Sequence, residues 1–256
     1  MINPSPFTFM LNKFVIILIL GSISQSFFIL NDDSTHTVLV ELGSLTTCPY
    51  CPAGIEALQE LYEEQEIPFY YMTLVYDKSD VAMQRGRWLN DVYVPMLYVD
   101  GGYLVVDEAT KEAYYDAIEK ASKREVNDID MNISAEWIGN DIKITLYIHN
   151  EDSSPHFEHV KICILEKVSR WKDAKGENIR YALMDYAFNG YLILKPRERK
   201  IEIKWNNDMD LKEGNTVVLA YASQATPKLQ KNPWNDPWWS SYFIAQFVDE
   251  ACAVEI

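Results

Sequence analysis

Apolar residues follow two different patterns along the chain, and the change comes near residue 125. Before that point, short apolar runs alternate with segments in which apolar residues recur every three or four positions, as in Ile55, Leu58 and Leu61. Such runs are typical of buried strands, and the longer period is typical of amphipathic helices. The pattern predicts the order strand, helix, strand, helix, strand, strand, helix at residues 38–42, from Cys51 onward, and at 69–75, 80–90, 96–99, 103–106 and 110–123.

Beyond residue 125, short runs of alternating apolar and polar residues are separated by polar turns. The alternation is clearest at residues 142–148 and 201–205, where every second side chain is apolar. One apolar face and one polar face are typical of antiparallel strands, and many short strands at regular spacing are typical of a β-sandwich. We therefore predict a sandwich with strands at 129–137, 142–148, 160–167, 191–194, 201–205 and 217–222, and a short helix at 181–188.

The first thirty residues have the order of a secretory signal peptide. Lys13 precedes an apolar run at residues 14–20, and small or polar residues follow at 21–26, where a signal peptidase would cut. Because residues 27–30 are apolar again, an uncleaved membrane anchor over residues 14–30 is the alternative. Both interpretations predict an extracytoplasmic protein, whether secreted, periplasmic or anchored and facing outward.

Composition narrows the class of protein and of partner. The chain has 256 residues, of which 48% are apolar and 24% charged. These fractions are typical of soluble globular proteins, and the length exceeds the usual ~100–200 residues of one domain, so we predict two domains. The net charge of -15 provides no basic surface to neutralise phosphates, which excludes nucleic acid as a partner.

The segment Cys48-Pro49-Tyr50-Cys51 carries the clearest chemistry. The nucleophile in disulfide exchange is a thiolate, and a helix N-terminus stabilises it through free N–H groups and the positive end of the helix dipole. Pro49 costs no hydrogen bond there, and Cys51 is placed to attack a mixed disulfide formed by Cys48. We predict a redox pair that needs no metal and no cofactor. Half of a zinc site and a purely structural bridge are the alternatives.

With Val94-Pro95 opening a strand that ends at Gly101-Gly102, the motif resembles the thioredoxin superfamily over residues 36–124. The resemblance implies a thioredoxin-like α/β fold and a cis-proline at Pro95 that packs against the two cysteines. It also implies that the backbone of Val94 pairs with an extended substrate, beside the Pro-Tyr dipeptide of the motif.

The same resemblance implies a role for Glu41, which lies in the strand that leads to the motif. It would be a buried acid that helps to move the proton of Cys51, and a glutamate at an exposed sheet edge is the alternative. Two features depart from thioredoxins: the Pro-Tyr dipeptide is that of glutaredoxins, and Thr47 replaces the tryptophan before the first cysteine. They leave the direction of electron flow open.

The other two cysteines, Cys163 and Cys252, are distant in sequence. We predict a structural disulfide between them that fastens the C-terminal tail by closing a loop of about 90 residues, with two separate buried thiols as the alternative. His156 and His159 are interpreted as surface histidines. The aromatic and proline-rich segment 233–239 is expected to pack over the domain junction or to form a recognition patch.

The sequence thus predicts a thioredoxin-like α/β domain at residues 36–124 and an immunoglobulin- or fibronectin-like β-sandwich at 125–256. The predicted activity is that of a thiol–disulfide oxidoreductase. Its partners would be exported proteins that contain cysteine, together with an unidentified redox partner. The alternative is an exported binding or adhesion protein in which the sandwich does the work and the first domain is a scaffold.

Overall fold

The computed structural model describes residues 34–234 and 241–256. The predicted signal peptide or anchor at residues 1–30 lies outside this part, and so does most of the tryptophan-rich segment. Among the described residues, no helix combines the length and the apolar character that a membrane crossing requires.

The described chain contains three helices and thirteen strands. The helices are α1 (Cys51–Glu64), α2 (Asp80–Trp88) and α3 (Lys111–Ser122). The strands are β1 (Val38–Ser44), β2 (Phe69–Val75), β3 (Met96–Val99), β4 (Leu104–Val106), β5 (Ile129–Ile138), β6 (Asp141–Asn150), β7 (His156–Lys172), β8 (Asn178–Leu194), β9 (Glu198–Trp205), β10 (Thr216–Gln224), β11 (Lys228–Lys231), β12 (Tyr242–Ala245) and β13 (Val248–Glu255).

Eight of these strands form one mixed sheet that runs through both parts of the chain, in the order β13-β10-β7-β8-β2-β1-β3-β4. The junction is between β2 and β8, which lie parallel, with Thr73 opposite Ala182. The Thr73 hydroxyl also donates a hydrogen bond of 2.8 Å to the carbonyl of Arg180. A second sheet has the order β5-β6-β9, and β11 pairs with β12 as a hairpin.

This architecture contradicts the predicted fold class. The described residues are predominantly β, with three short helices among them, and β7, β8, β10 and β13 continue the sheet of β1–β4 where a separate immunoglobulin-like sandwich was expected. The expectation of a thioredoxin-like α/β fold is therefore wrong. The reason is that apolar periodicity indicates which residues are buried, whereas the edge to which a strand pairs depends on contacts between distant parts of the chain.

The two faces of the large sheet are covered by different elements. Alternate residues of a strand point to opposite faces, so Val40 and Leu42 of β1 face one apolar cluster and Leu39 faces another. The first cluster contains residues of α1, α3 and the three-stranded sheet. The second contains Ala82 of α2 and Phe243 of β12. Helices α1 and α2 therefore lie on opposite sides of β1.

Buried acidic side chains meet where the segment after α3 packs against β7 and β13. The Asn127 amide nitrogen donates to Glu158 at 3.1 Å and to Asp249 at 2.8 Å. Both carboxyl groups are 1% exposed. Burial, with the nearby charge of Asp249 as the second cause, raises the pKa of Glu158 to about 8. Glu158 therefore keeps its proton near neutral pH in the folded protein.

We expect this group to make the protein less stable as the pH rises. The pKa of Glu158 is raised in the folded state from 4.5 to about 8, so between these values the folded chain binds more protons than the unfolded chain, and the free energy of unfolding falls with increasing pH. The variant Glu158→Gln should reduce the fall between pH 5 and pH 8 by about 3 kcal/mol, as measured by urea unfolding.

Glu198→Gln, an exposed change on the three-stranded sheet, is the control and should leave the pH dependence unaltered. An equal fall in wild type and Glu158→Gln would show that Glu158 is ionised in the folded protein.

Candidate functional site

A disulfide joins Cys48, in the turn after β1, to Cys51, the first residue of α1. Their accessibility differs: Cys48 is 7% exposed, whereas Cys51 is fully buried. Cys48 is therefore the more exposed of the two cysteines. The division into an attacking Cys48 and a resolving Cys51 stays a prediction.

The backbone around the motif points a donor at the exposed sulfur. The Cys51 N–H group donates to Cys48 Sγ at 3.0 Å. Helix α1 begins at Cys51, with Tyr50 as its N-cap residue. Pro52 is its second residue, where the missing N–H group costs no hydrogen bond. The first turn carries no acidic side chain. The positive end of the helix dipole is thus available to stabilise a thiolate at Cys48.

Val94 and Pro95 lie directly against this sulfur. The Val94–Pro95 peptide bond is cis, and the Val94 carbonyl oxygen is 3.7 Å from Cys48 Sγ. The resemblance had placed both residues beside the motif, and the structure brings them there. Pro49 and Tyr50, between the two cysteines, are both exposed, Tyr50 by 74%.

Gly54 allows α1 to approach Pro95 this closely, and sequence reasoning missed it. A Cβ atom at Gly54 would lie 2.8 Å from the Tyr114 hydroxyl and 3.4 Å from Pro95 Cβ. A larger residue at position 54 would therefore push the helix away from Pro95 and from α3. The available signal was a glycine on the apolar side of an otherwise regular amphipathic helix.

Glu41 has a partner that the sequence did not indicate. Its carboxylate accepts two hydrogen bonds from Arg85 of α2, from Nε at 2.7 Å and from an Nη at 2.6 Å. Glu41 is buried, so the alternative of an exposed sheet edge does not hold. It shares a face of β1 with Leu39, which is the face covered by α2, whereas α1 lies on the other side. Proton transfer between Glu41 and Cys51 stays a prediction.

Lys161 of β7 is a second buried cation near this ion pair. Its Nζ lies 5.5 Å from the ring centres of both Tyr186 and Tyr221. Burial, followed by the charge of Arg85, lowers the pKa of Lys161 to about 7. Neither Arg85 nor Lys161 was identified from the sequence, because the topology alone brings α2, β7 and β1 together.

The predicted disulfide between Cys163 and Cys252 is wrong, since both cysteines are free. Cys163 in β7 pairs with Leu219 of β10, and Cys252 in β13 pairs with Ala220 on the other side of β10. A strand thus separates the two cysteines. Because Leu219 and Ala220 are consecutive, the two thiols also point to opposite faces of the sheet.

The two histidines and Trp234 have structural contacts, and the expectation of surface histidines is wrong for His159, which is buried. His156 pairs with Asp152 at 2.7 Å, and His159 stacks on Tyr191 with ring centres 4.1 Å apart. The described part of the chain contains no group of three or more His, Cys, Asp or Glu side chains arranged to hold a metal ion. Trp234 packs edge-on against Tyr93, in the loop that leads to Pro95.

Comparison with known proteins gives structural matches only. No family model and no curated protein matches the sequence. HBP35 of Porphyromonas gingivalis is similar in structure, with a TM-score of 0.64, 14% identity, and 87% of this chain and 76% of that chain covered. Protein AGR_C_4864 from Agrobacterium tumefaciens has a TM-score of 0.53, 17% identity, and coverage of 87% and 95%.

At such low identity these likenesses show the fold alone. They give no support to the identification of the chain as a member of the thioredoxin superfamily, and the β-rich sheet contradicts that identification. Any activity must therefore be argued from the geometry around Cys48 and Cys51.

Proposed function

We propose that the chain is a thiol–disulfide oxidoreductase that exchanges disulfides with other proteins through Cys48 and Cys51. The observation that carries this proposal is the contrast between Cys48, which is 7% exposed and has a backbone N–H group 3.0 Å from its sulfur, and Cys51, which is fully buried. A structural bridge would need neither the access nor the donor. Such a short loop also adds little stability by restricting the unfolded chain.

The exchange proceeds in two balanced steps when the pair starts in its reduced form. The Cys48 thiolate attacks a disulfide of the partner, forms a mixed disulfide and releases one partner thiolate. The Cys51 thiol then loses its proton, attacks Cys48 Sγ and releases the second partner thiolate, so two electrons move to the partner. In the reverse direction the same steps oxidise the partner, and the redox partner of the pair decides which direction prevails.

The site of action belongs to the same proposal. The apolar segment within residues 1–30 would export or anchor the chain, so its substrates would be exported proteins that contain cysteine. Disulfide exchange takes place between the cysteines of the two proteins, so it needs no bound cofactor.

A second candidate function is protein binding by exposed side chains of β7 and β8. Phe157 and Tyr191 expose their rings, which lie 5.7 Å apart, and Ile193 is opposite Phe157 in the neighbouring strand. An exposed apolar patch of this kind is typical of a contact surface. A protein that only binds would not depend on the oxidation state of Cys48 and Cys51.

A redox titration separates the two functions. The full chain is equilibrated with mixtures of reduced and oxidised glutathione, the thiols are alkylated, and the fraction of oxidised Cys48–Cys51 is measured by mass spectrometry of the peptide. We expect a reversible transition within the range of glutathione buffers. A pair that stays oxidised at potentials below about -300 mV would be a structural disulfide and would overturn the proposal.

A further inference from the structure

A groove of about 590 Å³ runs along the outer face of α1 and reaches the first turn of this helix. Pro52, the residue after Cys51, lines one end. Helix α1 forms one wall, and the hairpin of β7 and β8 forms the other, with Val168 and Arg180 as lining residues. We refer to this space between α1 and the β7–β8 hairpin as the α1 groove.

The length of two strands explains why the hairpin reaches α1. Strands β7 and β8 have 17 residues each, and they end in a tight turn in which the Asp173 N–H group donates to the Glu177 carbonyl at 2.8 Å. Gly176 permits that turn with a φ of +86°. Across the groove, Lys175 Nζ lies 3.7 Å from a Glu56 carboxylate oxygen. Both side chains are largely exposed, so this contact is weak enough to be replaced.

The helix wall has the dimensions of a short extended peptide. Pro52, Glu56, Glu60 and Glu63 follow one another at helical spacing along one face of α1. The twelve residues from Pro52 to Glu63 span about 16 Å of helix, which equals about five residues of extended chain. A segment next to the reactive cysteine of a partner could therefore lie in the α1 groove while its sulfur reaches Cys48.

The charge of both walls selects the kind of segment. The lining includes five carboxylates against two cations, namely Glu56, Glu60, Glu63, Asp173 and Glu177 against Lys175 and Arg180. Lys111 offsets part of this charge, since it lies 3.4 Å from Glu60 just outside the lining. Ile55 and Val168 add apolar surface, on which the methylene groups of lysine or arginine can pack.

We propose that the α1 groove binds an extended, positively charged segment of the substrate protein next to its reactive cysteine. This inference rests on the proposed function and specifies its substrates: exported proteins in which lysine or arginine flanks the cysteine. An acidic segment would meet like charge along the whole helix wall.

The test uses peptides with and without a reactive disulfide. Fluorescent ten-residue peptides carry three lysines or three glutamates and no cysteine, and their binding to the full chain is measured by anisotropy. The same peptides with a central cysteine, as a mixed disulfide with glutathione, report the rate of exchange with the reduced protein. Wild type should bind the lysine peptide and react with it faster than with the glutamate peptide.

Two double variants with the same change of net charge separate the groove from the general acidity of the chain. Glu63→Gln with Glu177→Gln alters opposite walls of the groove, whereas Glu136→Gln with Glu198→Gln alters the exposed face of the three-stranded sheet. We expect the groove variant to lose about fivefold in affinity for the lysine peptide and in its exchange rate, and the control less than twofold.

The possible failures are distinguishable. An equal loss in both double variants, or no loss in either, would overturn the inference about the groove, while normal exchange would leave the proposed function intact. Binding of the lysine peptide in the groove without exchange of any peptide would overturn the proposed function and leave a groove for cationic segments.

Discussion

Replacement of Cys48 by serine should reduce disulfide exchange to the background rate, whereas replacement of Cys51 by serine should trap partners as mixed disulfides. Cys48 is the more exposed of the two cysteines, and its sulfur accepts a hydrogen bond from the Cys51 N–H group, so its loss removes the proposed nucleophile. Loss of the Cys51 sulfur removes only the resolving step, and the first covalent bond then persists. Non-reducing gels of protein purified from its host, followed by mass spectrometry of the adducts, measure the trap.

Double replacement of Cys163 and Cys252 by alanine is the matched control. Burial raises the pKa of both thiols well above the usual range, and they lie on opposite faces of the sheet, so neither should react. The control should retain exchange and form no adducts. Retention of full activity by Cys48→Ser would contradict the proposed mechanism and favour protein binding by β7 and β8.

Replacement of Arg85 by leucine should destabilise the protein by about 3–5 kcal/mol, because it leaves a buried carboxylate without its partner. Glu41 is fully buried, and the Arg85 side chain is only 9% exposed. Replacing both residues by leucine removes the charge as well as its partner, and the double variant should recover most of the loss. The free energy of unfolding in urea at pH 7 measures both effects.

Lys161 provides a check on the interpretation of the ion pair. If the ammonium group of Lys161 moved to Glu41 in the Arg85→Leu variant, the destabilisation would be small. Adding Lys161→Met to that variant would then produce the full destabilisation. For comparison, Lys143→Ala breaks an exposed pair with Glu136 on the three-stranded sheet, and it should change stability by less than about 1 kcal/mol. Equal effects of Arg85→Leu and Lys143→Ala, with no further destabilisation when Lys161→Met is added, would mean that Glu41 is hydrated.

Much of the secondary structure could be predicted from local pattern. The predicted strands at 129–137, 142–148 and 201–205 correspond to β5, β6 and β9, because one face of each is buried and the other is in water. The predicted helix at 181–188 is wrong. Its residues lie in β8, where pairing with β7 overrides local preference and a positive φ at Tyr181 accompanies an irregular register.

The candidate site divides in the same way between local and distant causes. The two cysteines, the helix start at Cys51 and the tolerated proline after it depend on neighbours in sequence, so they could be found without a structure. Arg85, Gly54 and the β7–β8 wall of the α1 groove could not, because each acquires its role from an element distant along the chain.

By itself, the sequence determined the Cys48–Cys51 pair at a helix start, the order of most helices and strands, and the acidic character of the chain, since these follow from residue type and short-range spacing. Only the tertiary structure decided that one eight-stranded sheet joins the segments before and after residue 125, that β10 separates Cys163 from Cys252, and that Glu41 forms an ion pair with Arg85. The physical reason is that strand pairing and ion pairing depend on which distant surfaces meet, and a one-dimensional pattern of apolar residues allows several such arrangements.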